Sequence, residues 1–209
     1  EDDAQKRLAY EAAAEMATRA LQVDERNAQA HFLYAAARGN AERLKGIANA
    51  GLVLREIKEH VRRAIELDPG HAQALQMMGG LYAELPWLLG GSEKEAESYL
   101  RRAIAADGRY TNAHLILARL LIKQGRSGEA RAHLDAVLHI EHPHYPYAWK
   151  RRFRPEAERL LKALLSSSSI PRQSKTERPV GAGFLDECLC RMFGHKPPRG
   201  SRKMAKNPK

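Results

Sequence analysis

One phrase recurs along the chain and limits what it can fold into. The stretches RALQVDERNAQAH, RAIELDPGHAQAL and RAIAADGRYTNAH begin at Arg19, Arg63 and Arg102, and a weaker copy, AVLHIEHPHYPYAW, begins at Ala136. Each joins the end of one helix, read as Ala-aliphatic-x-aliphatic-acid, to the start of the next. The anchoring positions Ala20, Ala64, Ala103 and Val137 lie 44, 39 and 34 residues apart. A chain that repeats at this interval forms stacked helix pairs, because no single pair can bury its own apolar face.

The last interval is that of the tetratricopeptide repeat, and the residues resemble that family over about 5–165. Its pattern is present as Leu75-x2-Met78-Gly79-x2-Tyr82, then Ala96-x3-Leu100 and Ala103; the next copy supplies His114, Leu117, Ala118, Leu121, Ala130, Leu134 and Val137. Pro69 closes the second phrase, and Gly108 replaces it in the third. Small residues let paired helices approach closely, while the larger ones fill the space between pairs. The resemblance implies an all-α, right-handed superhelical solenoid of antiparallel helix pairs. We expect repeats over 28–69, 72–108 and 111–142, a partial repeat at 3–25, and a capping helix at 154–165. Ser92-Glu93-Lys94-Glu95 reads as a capping box and Ser127 as a second N-cap. Pro155 and Glu156 suit a first helical turn.

The excess over 34 residues falls between the two helices of the first two pairs, on one edge of the stack. The first insertion, within GNAERLKGIANAGLVLREIKEH, has Leu44, Ile47, Ala48, Leu52, Val53 and Ile57 at near-helical spacing, which extends the second helix backwards. The second contains LPWLLGG, with Leu85, Trp87, Leu88 and Leu89. Such a loop can serve as a lid that covers the exposed stripe of the first insertion, its apolar groups contributing several kcal/mol at roughly 25 cal/mol per Å². The rival reading is a lip on a ligand cleft. LPWLLGG with its flanking repeats resembles bacterial helical-repeat proteins related to the T component of TRAP-type transport systems. It is also similar, more loosely, to the repeat domain of regulators of microtubule dynamics. The first resemblance implies a periplasmic accessory with a groove for a small apolar ligand.

Charge is uneven. The net charge is +10, and residues 166–209 hold ten Lys/Arg against three acids, so +7 of it lies there. That segment is rich in Pro, Ser, Arg and Lys and reads as a disordered basic tail. It offers non-specific attraction to nucleic acid or anionic lipid. Cys188, Cys190 and His195 make an incomplete metal pattern, since zinc usually takes four ligands. No apolar run is long enough to cross a bilayer. The first residues, Glu1-Asp2-Asp3, carry no initiator Met or apolar leader, as in a processed exported chain or a trimmed domain. Cytoplasm and periplasm both stay open.

No catalytic constellation, cofactor motif or complete metal site emerges, so we expect a non-enzymatic binding protein. His31 and His114 share a repeat position and read as packing residues. His139, His142 and His144 read as part of a Pro-ordered connector. The inner face of the stack maps to Gln29, Phe32, Leu33, Ala36, Gln73, Gln76, Met77, Gly80, Asn112, Leu115, Ile116 and Arg119. Tetratricopeptide domains that clamp acidic C-terminal peptides use Lys, Asn and Arg there; here Arg119 alone is positive, which disfavours a clamp. A groove for a peptide or amphipathic helix is the first expectation, and a small apolar ligand the second. On this reading a charge at Met77 or Leu115 abolishes binding while the stack stays folded.

Overall fold

The computed structural model describes residues 2–45 and 50–167, and among these every regular element is helical. The order is α1 (Asp3–Val23), α2 (Ala28–Lys45), α3 (Ala50–Leu67), α4 (Ala72–Glu84), a 3-10 turn (Trp87–Leu89), α5 (Glu93–Ala106), α6 (Thr111–Lys123), α7 (Ser127–His139), a single turn α8 (Pro146–Ala148), a π-helix (Trp149–Phe153) and α9 (Arg154–Ser167). Helix α1 packs on α2, and α2/α3, α4/α5 and α6/α7 form the successive pairs of an all-α repeat solenoid. Helix α9 closes the stack against α7.

The repeated phrase folds the same way three times. Asp24, Asp68 and Asp107 each end a helix, their N–H donating to the carbonyls of Ala20, Ala64 and Ala103 at 2.9, 2.9 and 3.0 Å. Their side chains then turn the chain by accepting from the N–H two residues on, in Arg26, Gly70 and Arg109, at 2.9, 3.0 and 2.9 Å. A carboxylate two residues before a turn N–H is the Asx-turn preference, so this acid is a stop signal for the helix. Asn27 and His71 next cap α2 and α4, accepting from Ala30 and Ala74 N–H at 2.9 and 3.3 Å.

The core follows the small-and-large pattern. At Gly79 a Cβ would meet Leu100 Cγ at 2.7 Å, so α4 and α5 touch where only glycine fits. Leu75, Leu81, Leu100, Leu117 and Leu121 are fully enclosed in the main cluster. A second cluster joins Leu115 and Ala118 of α6 to Leu134, Val137, Phe153 and Ala157.

The ten-residue excess of the first repeat is shared between both helices of its pair: α2 and α3 have 18 residues each, against 13 each for α4 and α6 and 14 for α5. Val53 and Ile57 are buried in the main core, so this part of the stripe of α3 needs no external cover. Accordingly LPWLLGG is no lid. Leu85 is 6% exposed, but Trp87, Leu88 and Leu89 are 79%, 72% and 46% exposed. Leu85 continues the buried face of α4, whereas the next residues close on themselves: Leu89 and Gly91 N–H both donate to Pro86 O at 2.9 Å. Gly91 has no alternative, since a Cβ there would lie 1.8 Å from Leu85 O. Ile47 and Ala48 lie outside the described residues.

Two start signals differ in detail. Ser92 does cap α5, accepting from Glu95 N–H at 3.3 Å. Ser127, in contrast, is the first residue of α7, and Arg126 stands at the cap position, where its side chain makes no capping bond to the helix N–H groups. The preceding turn, with Gly125 at φ +79°, is closed by Arg126 N–H on Leu121 O at 2.8 Å, so it ends at Arg126. No helix of the described residues is long and apolar enough to cross a membrane.

Candidate binding cleft

The starts of α2, α4 and α6 stand side by side, because each follows the same Asp turn. Between them lies an open cleft of about 480 Å³, lined by Gln29, Asp68, His71, Gln73, Asp107 and Tyr110 with flanking small residues. His71 is buried by its cap bond to α4 and by the Phe32 ring, 5.3 Å from its own. That burial holds its imidazole below the usual histidine range. The Asp107 carboxyl is held down at about 2 by the Arg109 guanidinium, 2.8–2.9 Å away. Burial, then the neighbouring Tyr145, pushes the Tyr110 hydroxyl up. The cleft is therefore polar: it presents the side chains of Asp68 and Asp107, two amides, an imidazole whose burial favours the neutral ring and a phenol whose burial favours the O–H form.

The connector after α7 folds back to bound this cleft. His144 N–H donates to Arg109 O at 3.1 Å. The rings of His144 and Tyr145 lie 4.2 and 5.9 Å from that of Tyr110, and Gln73 Nε2–H donates to Tyr145 OH at 2.5 Å. Among the described residues no group of three or more His, Cys, Asp or Glu could hold a metal. Cys188, Cys190 and His195 lie outside the described residues.

The structure sorts the twelve inner positions. Gln29 and Gln73 meet in the cleft, and Phe32 and Gln76 are half-buried nearby in sequence. Leu33 is 47% exposed, while Ala36 packs on the core. Met77, Gly80, Asn112, Leu115 and Ile116 are buried, Leu115 at 0% and Ile116 at 2%. Arg119 binds Glu156 of α9, Nη2 to Oε1 at 2.6 Å. For Leu115 and Arg119 the cause is the capping segment, where Phe153 and Ala157 pack with Leu115 and Glu156 holds Arg119, while Met77 and Ile116 are enclosed in the main core. A charge at Met77 or Leu115 would therefore unfold the stack, since an unpaired buried charge costs several kcal/mol. Asp68, His71, Asp107 and Tyr110, absent from the inner-face set, were legible as the repeated Asp-x-x-(Asn/His/Tyr) phrase. Tyr145 had no local signal, lying 72 residues from Gln73.

A second repeated device links helices within pairs. His31 Nδ1 meets His60 Nδ1 at 3.0 Å, and His114 Nδ1 meets His133 Nδ1 at 3.1 Å. His31 and His114 also donate from Nε2 to the carbonyls of Glu25 and Gly108, at 2.9 and 3.2 Å. A carbonyl can only accept, so in the neutral rings Nδ1 of His31 and His114 is the acceptor, and His60 and His133 supply the proton. Burial pushes His60 and His133 below the ordinary range, and His114 down to about 4.

The description "Regulator of microtubule dynamics protein 1-3" belongs to the family model that matches residues 1–165. Regulator of microtubule dynamics protein 1 of Bos taurus is 34% identical over 135 residues, covering 56% of this chain and 41% of the relative. The Homo sapiens protein is 33% identical with the same coverage, and the Mus musculus protein 31%, with 43% of the relative covered. The match thus spans about two fifths of these relatives. Among solved structures, that of MamA aligns with a TM-score of 0.48 at 16% identity, covering 80% of this chain and 95% of that one. The resemblance to the T component of TRAP-type systems, and the bacterial affiliation with it, finds no support in these matches. Of its motif, LPWLLGG, the two glycines follow from the backbone alone, Gly90 from its φ of +82° and Gly91 from the 1.8 Å approach of a Cβ to Leu85 O. Through its repeat domain, the chain belongs to the regulator of microtubule dynamics protein 1-3 family.

Proposed function

We propose that this chain is a non-enzymatic protein-interaction scaffold that takes an extended polypeptide segment across the starts of α2, α4 and α6, and that it acts in the control of microtubule dynamics. The observation that carries the reading is the cleft itself: three successive repeats present Gln29, Gln73 and Tyr110 along one open trough. Amide side chains at repeat spacing suit the alternating N–H and C=O groups of an extended main chain. A helix-in-groove mode fits less well, because the apolar inner residues Met77, Leu115 and Ile116 are buried. The polar lining likewise argues against a small apolar ligand as the natural occupant. The relatives named above supply the microtubule context, and Trp87, Leu88 and Leu89 remain the candidate lip on the neighbouring edge.

The test uses the intact chain with purified tubulin. Growth and shrinkage of single microtubules are followed with the wild type and with Gln73→Arg, which places bulk and charge in the trough without touching the core. We expect the wild type to change the dynamics and Gln73→Arg to lose at least half of that effect. A wild type without effect, or a variant as active as wild type, would sink the proposal. A basic-tail tether instead predicts an effect that survives Gln73→Arg and disappears when the chain is cut after Leu165.

A further inference from the structure

The turn that leads into α9 concentrates charge of one sign. From His142 to Pro155 the chain holds Lys150, Arg151, Arg152 and Arg154 and no acidic residue. These cations sit on or beside a single π-helical turn, Trp149–Phe153, a local geometry often found at functional sites. Trp149 anchors the turn: its Nε1–H donates to Val137 O at 2.7 Å, and its ring packs on the second core cluster with Phe153. Three guanidinium groups lie over aromatic rings, Arg151 over Tyr147 at 5.7 Å, Arg152 over Phe153 at 5.4 Å and Arg154 over Trp149 at 5.4 Å. Arg154 is also paired with Glu158 at 3.2 Å, and Arg152 is half-buried. What faces outward is Lys150, Arg151 and the 76%-exposed ring of Tyr147.

We propose that this turn is a docking surface for an acidic polypeptide segment of a partner protein, with Lys150 and Arg151 as its charge contacts and Tyr147 as the platform that orients Arg151. A guanidinium stacked on a ring keeps its N–H edge free and already oriented, which suits bidentate contact with a Glu or Asp carboxylate. Charge complementarity selects an anion, and the rings decide which kind. Binding a nucleic-acid strand by stacking needs several open rings in series. Here Phe153 is buried, Trp149 is half-buried, and Tyr145 is turned onto Tyr110 and Gln73. A membrane surface would require a broad apolar face beside the cations, and among the described residues of this turn and its lead-in only two tyrosines are exposed, Tyr147 at 76% and Tyr145 at 43%, the latter with its hydroxyl bonded to Gln73. The proposal does not depend on the occupant of the cleft.

The experiment measures binding of a fluorescein-labelled oligoglutamate peptide to the intact chain by anisotropy at low and moderate salt. Replacing both residues, Lys150→Glu with Arg151→Glu, should weaken binding by about tenfold, as reversal of two exposed contacts allows. The same charge change placed in the basic C-terminal segment, Lys203→Glu with Lys206→Glu, should weaken it by less than about twofold. Arg151→Lys keeps the charge and loses the stacked fork, and should cost about threefold. Equal losses in the two double variants, or an unchanged Arg151→Lys, would overturn the proposal. Phosphatidylserine-containing vesicles and oligothymidylate serve as competitors. If binding of either depends on Lys150 and Arg151 as strongly as that of the peptide, the partner is not an acidic polypeptide and the assignment fails.

Discussion

Two single residues show how narrow the tolerances are. Gly79 leaves no room for a side chain, with Leu100 Cγ 2.7 Å from where a Cβ would stand. Gly79→Ala should destabilise the chain by about 1–3 kcal/mol, the range for overpacking, visible as a lower urea midpoint. In the Leu100→Ala background the further loss from Gly79→Ala should shrink, because the nearest clash is with Leu100 Cγ, which alanine lacks. The histidine pairs make the opposite kind of demand, on charge rather than volume. His114 is held at about 4 by burial first and by His133 second, against an unfolded value near 6.5. The folded state disfavours the protonated ring, so this contribution is present above about pH 6.5 and is lost as pH falls toward 4. It amounts to about 3 kcal/mol for a shift of that size. His133 shifts the same way, pushed down by burial first and by Arg101 of α5 second, while Glu97 of α5 and Glu129 of α7 oppose the shift. We expect the melting temperature to fall between pH 6.5 and 4.5. In His114→Gln, which cannot charge, the fall should be shallower, and an equally steep curve would show that other groups control it.

At the scale of the element, the entry to α9 is the informative case. Pro155 was expected to begin a helix at its first turn, and α9 does begin beside it at Arg154. Yet the helical path does not start there, for α8 and the π-turn precede it without a gap. A proline has no N–H for the carbonyl four residues back, Arg151, and its ring crowds that carbonyl in an ordinary α-turn. The wider π-turn relieves the clash, with Arg154 N–H reaching Trp149 O instead. The bond from Trp149 to Val137 O also satisfies a carbonyl near the end of α7. Trp149→Phe keeps most of the ring and removes the donor; it should cost about 1 kcal/mol in urea unfolding followed by circular dichroism. No change in the midpoint would mean that water replaces the bond without loss.

For the whole molecule, the closing segment decides whether the stack holds together. Phe153 and Ala157 cover Leu115, Ala118, Leu134 and Val137, all of which are 0% exposed. A chain that ends before Pro146 leaves this face open, and a repeat array is stable only as a sum of covered interfaces. We expect such a chain to melt at least about 10 °C lower, since roughly 1 kcal/mol shifts a domain of this size by about 2–4 °C, and to bind a hydrophobic dye. Retention of the full melting temperature would show that α9 is a passenger.

The sequence by itself determined the helices, their pairing and the turn chemistry. These are local matters: an Asp at a fixed place accepts from an N–H two residues on, a small residue faces a large one, and a period near 34 residues forces pairs to stack. It also carried the cleft residues at the helix starts, in the repeated phrase. Tertiary structure alone decided which inner positions stay open. Met77, Leu115 and Ile116 carry the same periodic signal as a groove, but a buried face and an exposed one look alike in sequence until the covering segment is placed. For Leu115 that segment arrives from far along the chain, as Phe153, and Tyr145 reaches Gln73 in the same way, whereas Met77 and Ile116 are covered within the main core. LPWLLGG failed for the converse reason: its apolar residues read as burial, while the backbone closure at Gly91 turns Trp87, Leu88 and Leu89 outward. Hydrophobic pattern fixes what a helix can bury, and only the path of the rest of the chain fixes what it does bury.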